Sequence, residues 1–275
     1  MEDAQKTELF ESMPIPRAVM KLAIPTVLSS LVMVLYNLAD TYFVGMLNNA
    51  VENAAVTLAA PLLLAFNAVN NLFGVGSSSM MSRSLGKKDY ETVYRSAAFG
   101  FYCSIFAGLL FSIAYTVFQV PLLNLLGATE ETLGATIGYA RWTVTFGAVP
   151  AILNVVLAYL VRAEGAAMHA SIGTMSGCFL NILLDPIFIL PWGLNMGAEG
   201  AGLGTLMSRI IAPMLMIGYF YSRSKYRVYL EGFSPRNYSW ATVRQLLRMG
   251  LPISSQMFLE ASAFVGTGIL SLIHI

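Results

Sequence analysis

An all-α membrane protein is the fold class this sequence predicts, built as a six-helix N-terminal lobe followed by the first helix of a second, repeated lobe. Three observations predict it. Of 275 residues, 56% are hydrophobic and 11% charged, at a mean hydropathy of +0.66, against about 25% charged in ordinary soluble domains. Seven apolar runs are each long enough to cross a hydrocarbon core, which takes about 20 residues of helix. Basic residues fall on alternate connections between the runs. The composition also excludes classes: 16 Lys and Arg against 15 Asp and Glu leave a net charge of +1, too little for a nucleic-acid partner. Disorder would need low hydrophobicity and high net charge.

Residues 1–21 are polar and mixed in charge, without the apolar core or cleavage site of a signal peptide, and read as a cytoplasmic lead-in. The first run, 22–47, holds Pro25 and the second, 54–81, holds Pro61 and the Gly74-Val-Gly76 stretch. The third is 96–120, and the fourth, 135–161, holds Pro150. The fifth, 170–190, carries Pro186 near its end, and the sixth, 200–222, carries Gly200, Gly202, Gly204 and Pro213. Prolines inside membrane helices read as kinks, because neighbouring groups re-satisfy the freed carbonyls. The glycines let helix backbones approach closely without any ligand. Cys103 and Cys178 sit in apolar runs and read as small packing residues. A polar linker, 223–245, separates residues 22–222, the first lobe, from the seventh run, 246–269.

Of the 16 basic residues, 13 lie in the lead-in and in the connections after the second, fourth and sixth runs, and Arg248 stands at the start of the seventh run. The alternate connections hold none and carry Glu52, Glu130, Glu131 and Glu199. The excess of Lys and Arg marks the cytoplasmic side, which puts the N-terminus inside. Lys21-Leu-Ala-Ile-Pro25 at the start of the first run is echoed by Arg248-Met-Gly-Leu-Pro252 at the start of the seventh, each followed by a Ser-Ser pair. That echo suggests a parallel repeat of which the seventh run is the opening. The last six residues, Leu270-Ser-Leu-Ile-His-Ile275, match a translated sequencing-library transposon end, so 270–275 is expected to be an adapter artefact; the alternative is that they continue the helix.

Function is sought at intramembrane ionisable residues, each costly in lipid unless it meets a partner or a wet cavity. These are Asp40, Arg141, Asp185, Arg209 and Glu260. Asp40, Asp185 and Thr205 share one level in the outer half of the bilayer, and Tyr36 and Asn181 stack one turn from the two aspartates. Carboxylate, amide and hydroxyl oxygens suit a hard monovalent cation or a proton, whereas a transition metal would look for His or Cys. Two other readings stand beside this one. The aspartates could simply tie helices together, or they could form a two-aspartate intramembrane protease, although neither has the Tyr-Asp or Gly-Xaa-Gly-Asp setting of such enzymes. Arg141 reads as an interfacial, snorkelling side chain. Arg209, one turn below Thr205, could neutralise an aspartate if it points inward.

Several segments then carry a resemblance. They are Pro25 with Tyr36-Asn-Leu-Ala-Asp40-Thr-Tyr-Phe-Val-Gly45, Gly74-Val-Gly76-Ser-Ser with Ser82-Arg83-Ser-Leu-Gly86, Asn181-Ile-Leu-Leu-Asp185-Pro186, and Gly200-Ala-Gly202-Leu-Gly204-Thr205. Together, and in this order, they resemble the multidrug and toxic compound extrusion (MATE) family, in its prokaryotic drug-exporting branch. The resemblance implies twelve helices in two lobes, of which five are absent here, and export of small-molecule drugs across the lipid bilayer of the plasma membrane. It implies exchange against Na⁺ or H⁺, with no other cofactor, no enzymatic activity and a monomer when the protein is full length. By the same resemblance Asp40, Asn181, Asp185 and Thr205 form the cation site, with Tyr36 and Tyr139 beside it. Met33, Asn154 and Glu260 are carried over as candidates for a drug cavity. Alternating access coupled through the aspartates is the expected mechanism, acting on amphipathic, often cationic compounds held by side chains such as Tyr36 and Met33. The alternative within the superfamily is a flippase for a lipid-linked substrate.

Overall fold

The computed structural model describes residues 13–222 and 240–273, and among them every regular element is a helix. The elements are α1 (Ile15–Gly45), α2 (Ala50–Gly86), α3 (Tyr90–Leu125), α4 (Glu130–Ala140), a π-helical segment (Arg141–Thr145), α5 (Ala148–Ala163), α6 (Ala167–Ile189), α7 (Gly197–Ser222) and α8 (Trp240–Ile273). Five of them, α1, α2, α3, α6 and α7, are long and apolar enough to cross a membrane. The bent pair formed by α4 with its π segment and α5 makes a sixth when taken as one span. α8 covers the seventh expected run with 34 helical residues. Its first half carries Arg244, Arg248, Ser254, Ser255 and Gln256, and Glu260 follows one turn later.

The helices outrun the apolar stretches because capping chemistry, not hydropathy, sets their ends. α1 begins at Ile15, several residues before the apolar run, with Pro14 at its N-cap and Pro16 in its first turn, where a missing N–H costs nothing. The Asn49 side chain caps α2 by accepting from the Val51 N–H, and Asp89 caps α3 by accepting from the Thr92 N–H. α3 passes through Pro121 with a kink at Phe118, at φ −108° and ψ 15°.

The fourth expected span is not one helix. α4 runs into the π segment and then bends by 43° into α5, and the Phe146 N–H reaches back to the Arg141 carbonyl at 3.0 Å, a π-type bond. Pro150, expected to kink a continuous helix, instead stands in the first turn of α5. There it needs no N–H donor, so it starts a helix rather than distorting one.

The core gathers around α5, whose Ile152, Val156, Leu157 and Leu160 are fully buried against Phe66 and Met81 of α2, Val93 of α3 and Met216 and Phe220 of α7. α6 pairs along its length with α7, and α1 lies against α6, where the Ser171 and Ser29 hydroxyls meet at 3.5 Å. α1 otherwise buries little beyond Pro25 and Val44. α8 packs mainly on α2. At that crossing a β-carbon on Gly76 would collide with the Leu246 carbonyl, and one on Gly250 with the Leu72 carbonyl. The glycines therefore do the packing work expected of Gly74 and Gly76, the former holding the Tyr159 ring. The expected linker falls mostly outside the described residues. The expected foreign tail is helical as far as Ile273, and its last two residues, His274 and Ile275, lie outside them.

Candidate functional site

Successive helices alternate in direction, so the C-terminal end of α1, the N-terminal ends of α2 and α4, and the α6–α7 connection share the face that carries the acidic residues. Near this face four helices each contribute to one polar cluster. α1 brings Tyr36 and Asp40, α6 brings Asn181 and Asp185, α7 brings Thr205 and Arg209, and α4 brings Tyr139. On α1, α6 and α7 the paired residues are four apart, so each pair stacks on one face.

The α6–α7 turn fixes the relative height of these groups. Leu194 N–H donates to the Ile187 carbonyl at 2.7 Å, and Met196 N–H to the Phe188 carbonyl at 2.9 Å. Gly197 then starts α7 at φ +60°, and Glu52, from the first turn of α2, caps it by accepting from the Ala198 N–H at 2.7 Å. A side chain at Gly197 would lie 2.8 Å from that carboxylate. Because α7 begins at Gly197 rather than Gly200, Thr205 is about 12 Å into its helix at a 1.5 Å rise per residue, deeper than the apolar run suggests. It reaches the aspartates because glycines bring the backbones together. A β-carbon on Gly204 would sit 2.8 Å from Asp185 Oδ1 and 3.4 Å from Asn181 Nδ2, and one on Gly202 would sit 2.8 Å from the Tyr139 carbonyl.

Burial is nearly complete: Asn181 and Asp185 are 0% exposed, Thr205 2% and Tyr139 3%. Asp40 and Tyr36 are half-buried on α1. The charges of Asp40, Asp185 and Arg209 lie close enough to act on the Tyr36 and Tyr139 hydroxyls, and that of Asp40 acts on Asp185. The Tyr36 hydroxyl stands beside that of Thr205 without completing a hydrogen bond to it. Among the described residues, seven of the twelve buried side-chain polar atoms that lack a hydrogen-bond partner belong here: Asp40 Oδ1, Asn181 Oδ1 and Nδ2, Asp185 Oδ1 and Oδ2, Thr205 Oγ1 and Arg209 Nη1. Buried polar groups are ordinarily satisfied, and leaving a carboxylate unpaired costs several kcal/mol, roughly. Five of these seven atoms are oxygens. That donor set fits a hard monovalent ion or a proton. Among the described residues no three His, Cys, Asp or Glu side chains converge.

The remaining expected residues lie elsewhere. Met33 is exposed on α1, and Asn154 is half-buried on α5 with an unpartnered Oδ1. Glu260 is exposed on α8, accepting from Gln256 Nε2 at 3.2 Å. No hydrogen bond or ion pair among the described residues ties any of the three to the cluster. Arg141 is exposed, as a snorkelling residue is, with Nη1 3.8 Å from Glu199 Oε1. Sequence reasoning missed the cap that Glu52 places on α7, whereas the close backbone approach it expected at Gly202 and Gly204 is found. The alternating glycines of α7 serve two faces, Gly202 toward α4 and Gly204 toward α6.

Apolar helices of membrane length enclosing an unsatisfied acidic pair define a multi-pass membrane protein with an intramembrane polar centre. The MatE family model matches residues 25–187. The chain is 33% identical over 245 residues to the multidrug export protein MepA of Staphylococcus haemolyticus (strain JCSC1435), covering 88% of this chain and 53% of the relative. It is 35% identical over 216 residues to MepA of Staphylococcus aureus (strain MSSA476), covering 78% and 47% respectively. Its fold superposes with a TM-score of 0.83 on the crystal structure of a MATE protein in complex with MaD3S, at 31% identity, over 92% of this chain and 56% of that one. The chain belongs to the MatE family, the family of MATE transporters, and it spans about half the length of the curated relatives it matches.

Proposed function

We propose that this chain forms the cation-coupled lobe of an antiporter that exports amphipathic, often cationic compounds in exchange for Na⁺ or H⁺. The observation that carries the reading is the set of unsatisfied oxygens shared by Asp40, Asn181, Asp185 and Thr205. A cation that enters satisfies them and draws α1, α6 and α7 together, and its departure leaves carboxylates that favour a rearranged lobe. Drug and cation thereby stabilise different states, which is what alternating access requires. Tyr36 and Tyr139 supply apolar, polarisable walls and hydroxyls that orient whatever neutralises the aspartates. Met33, Asn154 and Glu260 are proposed to meet the drug in a cavity shared with a second lobe that opens with α8. The basic-loop face is cytoplasmic and the membrane is the plasma membrane, so the cation site opens toward the outside.

The test is dye transport by the full-length protein in proteoliposomes under an imposed Na⁺ gradient or an imposed pH gradient. One of the two gradients is expected to drive dye movement against its own gradient. Dye movement that follows neither contradicts the antiport reading.

A further inference from the structure

Arg209 is a half-buried cation with no task in the account so far. It stands one turn beyond Thr205 on α7, and its Nη1 is shielded from solvent without a hydrogen-bond partner. Its charge acts on Asp40 and on the Tyr36 and Tyr139 hydroxyls, whereas the neighbouring charge felt by Asp185 is that of Asp40. Asp40 thus has both a guanidinium and a second carboxylate among its charged neighbours.

A guanidinium stays protonated in proteins. Two ionised carboxylates and one guanidinium leave the cluster a single negative charge, and an uncompensated charge in a low-dielectric interior is costly. One monovalent cation balances it, while a divalent ion would leave a net buried positive charge. The oxygens alone would not discriminate. Two carboxylates, the Asn181 amide and the Thr205 hydroxyl offer up to six oxygens, and Ca²⁺ takes about 6–8.

We propose that Arg209 is the fixed countercharge that restricts this site to one monovalent cation and turns divalent cations away. The proposal rests on the cluster being a cation site, and its test separates the two claims. Saturable binding of radiolabelled Ca²⁺ is measured on the purified full-length protein as wild type, Arg209→Lys, Arg209→Gln and Arg209→Met, the last keeping the aliphatic packing of the stem. Each is also made with Asp185→Asn. Wild type and Arg209→Lys are expected to show no Ca²⁺ binding at this site. Both neutral variants are expected to gain Ca²⁺ affinity by about tenfold or more, as site charge sets divalent affinity, and to lose the gain with Asp185→Asn. Ca²⁺ binding by the wild type that Asp185→Asn removes, or no gain in either neutral variant recovered as folded protein, overturns the proposal. If neither neutral variant folds, wild-type dye efflux decides: Ca²⁺ is expected not to compete with the coupling cation, and competition overturns the proposal. Failure of the cation-site reading itself shows differently, as coupled efflux that survives Asp185→Asn.

Discussion

For single residues, the division that matters is between carboxylates whose oxygens are already occupied and those whose oxygens are not. Glu52 caps α7, Glu199 accepts from Trp142 Nε1 at 3.0 Å, and Asp89 accepts from the Thr92 hydroxyl at 2.6 Å and the Thr92 N–H at 3.2 Å. Asp40 and Asp185 have no comparable partners. The Thr92 hydroxyl, then its N–H, holds the Asp89 carboxyl below the usual carboxylate range. A lowered value in the folded state means stabilisation that is complete above the unfolded carboxylate's range and lost as pH falls through the folded value. Acid melting should therefore show Asp89→Asn losing less stability between neutral and acidic pH than wild type, with α3 amide exchange as the local readout. Thr205→Ala removes one neutral oxygen and leaves both charges, so it should weaken coupling without abolishing it. Gly204→Ala is predicted to be the harsher change. Its methyl enters contact with Asp185 Oδ1, at an overpacking cost of about 1–3 kcal/mol, so coupled efflux should fall more than in Thr205→Ala while membrane insertion survives. The polar residues of the cluster were legible in the sequence because each interrupts an apolar run. Glu52 was not, since it acts on a helix 146 residues away, and a glycine next to a carboxylate leaves no mark in hydropathy.

Among elements, apolar runs located every helix but not their ends or breaks. α1 starts at Ile15 because of its prolines and α2 continues to Gly86 beyond the apolar run, since helices extend past the hydrocarbon thickness wherever backbone partners persist. The π segment was invisible because one extra residue per turn leaves composition unchanged. Pro150 pointed to a kink in the right region for the wrong reason, since the chain had already broken at Phe146–Gly147 and the proline begins the next helix. The α2–α8 crossing gives a prediction at this scale. Gly76→Val forces a branched side chain into the Leu246 carbonyl, again an overpacking of about 1–3 kcal/mol. A disulfide between cysteines placed at Met80 and Met249, both in the apolar patch at this crossing, should form readily in the parent and poorly in Gly76→Val. Equal crosslinking in both would show that α8 does not depend on the glycine contact.

For the whole molecule, the sequence carried the architecture through two long-range regularities, the alternation of basic connections and the echo of the first run in the seventh. The proposed sidedness and the proposed repeat rest on charge and order alone and call on no side-chain detail. The orientation predicts that a cysteine at Asn49 or Thr132 is labelled by an impermeant reagent from outside, and one at Asp89 only after permeabilisation. The reverse pattern would refute the proposed sidedness. In the proposed mechanism coupling needs two lobes, because one lobe has no gate to close against. The decisive measurement is cation-driven dye efflux by full-length protein carrying Asp40→Asn, Asp185→Asn or both, expressed per folded molecule. If the two carboxylates hold one coupling cation, each single variant abolishes driven efflux at normal membrane expression, and the double variant is no worse, since residues acting as a unit are not additive. Asp40→Asn protein that still couples at close to the wild-type rate would contradict the account.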